Sequence, residues 1–203
     1  MIIEDFGPRV ASVWNHLRTT TRNLVERAWQ SPAASSAKVQ RTTPYDPRAD
    51  QELSQLLAVL DEHSGQVERA SGREGARRAR QLADACANLL SQQTQSAEVF
   101  AQLIERAHQQ KDYARVDALA GLLPERLAPS EMAELARANN VVVRALAHEA
   151  LTQLPTSLLA ALLRDPVDAT VARQALERQA IEFASLEAQQ VLNDFEMNAL
   201  DEI

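Results

Sequence analysis

Arg115, Arg144 and Arg173 stand 29 residues apart, in segments that resemble one another. KDYARVDALAGLLP, NNVVVRALAHEALTQLP and DATVARQALERQAIEFA each carry a small or apolar residue just before the arginine and another three residues after it. A shorter apolar run precedes each one: FAQLIERA, MAELARA and LLAALL. A pair of helices recurring at this period buries its faces only by stacking on the neighbouring copies. No feature of the chain constrains its fold more strongly.

The middle copy tests the helical reading. Val141, Val142 and Val143 would suit a strand, but Val143, Leu146, Ala147, Ala150, Leu151 and Leu154 recur at three- and four-residue steps. Strand alternation cannot produce that stripe, so the valines are the first turn of a helix that begins after Asn139-Asn140 and stops at Pro155. Composition agrees. Five glycines and eight prolines in 203 residues leave little turn chemistry for hairpins, and the abundant residues are strong helix formers. With 45% apolar and only 4% aromatic residues, the core is built from Ala, Leu and Val. The fold class expected is all-α.

Three regions are expected. Residues 1–29 hold an N-terminal amphipathic helix over 8–29, with Val10, Val13, Trp14, Leu17, Thr21, Leu24, Val25 and Ala28 on one stripe and four arginines interleaved. Residues 30–48, rich in Ser, Thr and Pro, form a linker or extended arm. Residues 49–203 form the helical-repeat domain. Asp46-Pro47 opens its first helix, a turn lies around Ser64-Gly65 and Ser71-Gly72, and Pro124 closes a helix. Asp165-Pro166 repeats the Asp46-Pro47 device. The last two helices are expected over about 166–184 and 186–200.

MAELARANNVVVRALAHEALTQLP and LLAALLRDPVDATVARQALERQA resemble the HEAT-like and armadillo-type helical repeats, over about residues 96–184. The resemblance implies an α-solenoid of antiparallel helix pairs serving as a binding scaffold, and it brings no catalytic residue with it.

Arg115, Arg144 and Arg173 are read as structural repeat positions, whose stems pack and whose guanidinium groups bond neighbouring loops. Arg144 and His148, and likewise Arg173 and Glu177, are spaced i, i+4 and are the candidate binding residues. Leu119, His148 and Glu177 share one register of the 29-residue repeat, which places variable contacts there. The histidines at 16, 63, 108 and 148 fall on separate segments without ligand spacing, so no metal or cofactor is expected. Cys86 sits in an apolar stripe and reads as a small hydrophobe.

Of the 21 Lys and Arg, 12 lie in residues 1–80 with 10 of the 28 acids; residues 81–203 hold 9 bases and 18 acids. That acidic majority makes nucleic acid an unfavourable partner. A non-catalytic module binding a protein or peptide is the leading expectation. An enzyme or small-ligand protein with a cryptic site between repeats stands second, and membrane-surface association through residues 8–29 third. That N-terminal helix is also the expected route to a homodimer. A single cysteine, no membrane-length apolar run and an N-terminus without signal-peptide character point to the cytoplasm, and the near-exclusive use of Arg over Lys to a bacterium.

Overall fold

The structure, a computed structural model, describes residues 3–30, 45–70 and 73–201. Every element among them is helical: a 3-10 turn at Ile3–Phe6, then α1 (Pro8–His16), α2 (Thr19–Gln30), α3 (Pro47–Ala70), α4 (Arg73–Gln93), α5 (Ala97–Gln109), α6 (Tyr113–Arg126), α7 (Pro129–Ala136), α8 (Val141–Thr152), α9 (Thr156–Leu162), α10 (Ala169–Glu182) and α11 (Leu186–Asp201). The all-α expectation holds. The chain divides into two compact units, Met1–Gln95 and Ser96–Ile203. The division therefore falls at Gln95, whereas the sequence placed the start of the repeat domain near residue 49. Helices α3 and α4 belong with the N-terminal helices because they bury those helices' apolar stripes.

In the first unit α3 and α4 pack along each other, closing Leu53, Leu56, Leu57 and Leu60 over Ala79, Leu82, Ala83, Cys86 and Leu90, all fully buried. Thr94, just past α4, bonds Asp50 in the first turn of α3, so the two helices run in opposite directions. Each leucine so buried contributes on the order of 1.5–3 kcal/mol. Helix α1 lays Val10 and Trp14 against α3, and α2 lays Thr21, Val25 and Ala28 mainly against α4.

The single helix expected over 8–29 is in fact two. Leu17 takes an extended conformation (φ −65°, ψ 145°) between them. Arg22 secures the break, donating from Nη2 to the Asn15 carbonyl at 2.6 Å and from Nε to the Leu17 carbonyl at 3.1 Å, which satisfies carbonyls left open at the end of α1. Three consecutive threonines, weak helix formers, make the break inexpensive. Three other expectations change. Helix α3 runs straight through Ser64-Gly65, where the Ser64 hydroxyl donates to the Asp61 carbonyl; Ser71-Gly72 lie outside the described residues, as do 31–44 of the expected linker. Pro124 lies inside α6, which continues to Arg126, since a proline in the last turn forfeits one backbone bond only. Asp165-Pro166 opens a turn, with Asp165 Oδ1 accepting from the Val167 amide, and α10 starts three residues later at Ala169. Asp46 does cap α3 as expected, accepting from the Arg48 amide at 3.0 Å.

In the second unit α5 packs on α6, α7 on α8 and α9 on α10. The first members also touch in sequence, α5 with α7 and α7 with α9, as do the second members, α6 with α8 and α8 with α10; α11 covers α10 and α9. Phe100, Leu103, Ile104, Leu123, Met132, Val143, Leu151, Leu159 and Leu176 form the core. The helix starts are fixed locally. Asp112 accepts from the Arg115 amide, Asn140 from the Val142 and Val143 amides, and Glu131 reaches back to the Ala128 amide.

Candidate interaction surface

The residues ahead of the three second helices, Asp112, Asn140 and Asp168, are 28 residues apart. The arginines are 29 apart. Each arginine therefore enters its helix one position later than the last, a rotation of about 100° per residue. Equivalent helical positions are Leu119, Ala147 and Ala175, and one turn further Leu123, Leu151 and Gln179, all of them buried. The arginines and the Leu119–His148–Glu177 register drift across that face. Leu119 is accordingly buried, His148 half-buried and Glu177 exposed.

The three arginines consequently make different contacts. The backbone amide of Arg115 binds its cap, Asp112. Arg144 Nη1 donates to the Ala138 carbonyl at 2.9 Å, in the turn after α7. The Arg173 guanidinium lies over the Phe195 ring of α11, 5.4 Å from its centroid. Arg144 thus satisfies a carbonyl just past the end of α7 from α8, and the His148 imidazole lies beside the Ala136 backbone at that same end. Burial, and then the charges of Arg178 and Arg144, hold the His148 imidazole below its ordinary value, opposed by the Ala136 backbone. Arg144 and His148 thus share one neighbourhood. No contact joins Arg173 or exposed Glu177 to it among the interactions described.

Three residues that the sequence reading passed over tie pair to pair. Arg137, following α7, donates to Asp168 Oδ1 at 2.6 Å and to the Val167 carbonyl at 3.3 Å. Arg178 of α10 meets Glu149 of α8 at 3.1 Å, and also Glu182 on its own helix. Gln179 fills a position where the earlier copies bury a leucine. Its amide nitrogen donates to the carbonyls of Thr152 (3.0 Å) and Leu154 (2.7 Å), and its oxygen accepts from Thr156 Oγ1 (3.2 Å). The available signal was register: on the 28-residue ruler Gln179 aligns with Leu123 and Leu151.

The turns between first and second helices display a different set of side chains. Tyr113 follows Asp112, Val141 follows Asn140 and Val167 precedes Asp168; they are 59%, 67% and 64% exposed. The Arg137 contact with Val167 and Asp168 places the second and third of these turns side by side. Tyr113 and Val141 hold the same position relative to their caps, and Val167 stands two residues earlier in its own copy.

Elsewhere, a cavity of about 150 Å³ in the first unit is lined by Phe6–Val10, Val59, Glu62 and His63. Among the described residues no three His, Cys, Asp or Glu side chains gather to hold a metal ion, and no helix is long and apolar enough to cross a membrane. Comparison with protein-family models, with curated proteins and with solved structures gave no match.

Proposed function

We propose that residues 96–203 are a short HEAT-like α-solenoid of antiparallel helix pairs acting as a non-catalytic interaction module. Its occupant is a peptide segment of a protein partner, carrying apolar side chains and lying across the turns between paired helices. The observation that carries this reading is the exposed apolar residue beside each second-helix cap: Tyr113, Val141 and Val167. Stacked helices lie about 8–10 Å apart, close to one turn of a polyproline II helix, three residues at about 3.1 Å each, so a peptide in that conformation with an apolar residue at every third position would meet one anchor per pair. Arg144 and His148 flank this row as supports for the α7–α8 turn. Arg173 and Glu177, further along α10, are the less committed polar contacts.

A photo-crosslinking residue in place of Tyr113, Val141 or Val167 in the full chain, expressed in its native cells, tests the reading. A common adduct from these positions, absent from Glu134 and Ala161 on the first helices, is expected. Equal labelling at both sets of positions would overturn it. Arg144→Ala with His148→Ala should weaken the same adduct while circular dichroism stays helical; loss of helicity would assign both residues to folding alone.

A further inference from the structure

The first unit holds a carboxyl group that the proposed function does not use. Asp50, in the first turn of α3, is 2% exposed. Its Oδ2 accepts from the Tyr45 hydroxyl at 3.0 Å, and the Thr94 hydroxyl bonds it from the end of α4. Its Oδ1 is buried with no hydrogen-bond partner, and no cation meets the carboxyl among the described contacts. A buried carboxylate placed in this way favours its neutral form.

The surroundings link Asp50 to α2. Asp46, one turn earlier, lies 2.8 Å from Arg18 Nη2, and Arg18 Nε donates to Glu52 Oε1 at 2.8 Å. Thr21, fully buried on α2, gives its hydroxyl to the other Glu52 oxygen. The groups facing Asp50 are thus Tyr45 and Asp46 from the start of α3 and Thr94 beyond α4, while Arg18 and Thr21 of α2 face its neighbours Asp46 and Glu52. We propose that the docking of α1 and α2 onto α3 and α4 is a pH-governed device, with Asp50 as its sensor and the Arg18–Asp46–Glu52 cluster as the tie it acts on. Charging Asp50 sets it against Asp46 and demands a donor or water for Oδ1. The Tyr45–Asp46 segment is where that demand falls, and Arg18 is anchored there.

The sign follows from the two carboxyls. Burial pushes Asp50 up, helped by the Asp46 charge and opposed by Thr94 and Tyr45, so its contribution is complete below the unfolded carboxyl value and lost as pH rises through the raised one. Burial also pushes Asp46 up, but Arg18 and the Arg48 and Ala49 amides outweigh it and hold it low; its contribution is lost at the acid extreme. Docking is tightest in mild acid.

The chain's two tryptophans, Trp14 and Trp29, both lie on these helices, so the intrinsic emission of the full-length protein reads the docking directly. Urea transitions followed by tryptophan emission should move to lower midpoints in the wild type as pH rises from the ordinary carboxyl value, about 4, to pH 8. Asp50→Asn should be the more resistant protein at pH 8 and nearly flat over that range. Asp46→Asn should lose the decline below pH 4. Parallel profiles for wild type and Asp50→Asn would overturn the proposal. If Asp50→Asn does not fold, carbon-detected NMR titration of wild-type Asp50 decides: a midpoint at or below the ordinary carboxyl value removes the sensor.

Discussion

Arg137 Nη1 sits 2.6 Å from Oδ1 of Asp168, and the aspartate's side chain is only 6% exposed. One half-exposed arginine thus compensates a nearly buried charge and joins the end of α7 to the start of α10. A buried anion is tolerated only with such a partner. Arg137→Ala should destabilise the second unit by about 2 kcal/mol, because it leaves the carboxylate unpaired. Adding Asp168→Asn should recover part of that loss. Chemical denaturation of both variants followed by circular dichroism checks the pair, and additive losses would show that the two side chains act independently.

Gln179→Leu is expected to destabilise, although it restores the residue type found at Leu123 and Leu151. The substitution adds apolar surface but strips the donor from the Thr152 and Leu154 carbonyls. Unsatisfied buried carbonyls cost about 1–3 kcal/mol, against a gain of similar size that a leucine realises only where the cavity fits it. A melting temperature below that of the wild type is the outcome expected.

Ala184 occupies φ 51° in the turn between α10 and α11, and Lys111 φ 59° between α5 and α6. Both are left-handed positions that glycine adopts without the clash of a β-carbon. Ala184→Gly should raise stability by about 0.5–1 kcal/mol, read as a small upward shift in melting temperature. An unchanged or lower value would mean that the alanine methyl contributes packing there.

His148 gives a pH dependence of opposite sense to that of Asp50. Its folded-state value is depressed, so its contribution is present above the ordinary imidazole value, about 6.5, and is lost as pH falls toward the depressed one. The second unit should therefore weaken between pH 7 and pH 5, and His148→Gln should flatten that slope. Proton NMR titration of the ring in the full chain gives the direction independently.

The sequence revealed the helical class and most of the buried stripes, since periodicity of apolar residues is set by burial itself. Val143, Ala147, Ala150 and Leu151 are buried as their spacing required. What stayed hidden has specific causes. Trp14, Leu17, Thr21 and Val25 stay in phase across the break after α1, so no change in period marked it; the break rests on Arg22 reaching back to two carbonyls. Gln179 stayed hidden because polar type normally tracks exposure. Tyr113, Val141 and Val167 lie off the apolar stripe, and an exposed hydrophobe has the same letter as a buried one. The arginines attracted attention by their spacing, but it was Asp112, Asn140 and Asp168 that carried the period of the helices.

The mismatch between 28 and 29 residues works like the two scales of a vernier. Marks that coincide at one pair have slipped by a full helical position at the next, so the more conspicuous scale is the wrong one for cutting the chain. A pair duplicated as 28 residues would return a leucine to the core at the position of Leu151. Duplicated as 29, the same letters would turn that leucine by about 100° toward solvent. Lengthening this protein is thus a matter of counting from its caps.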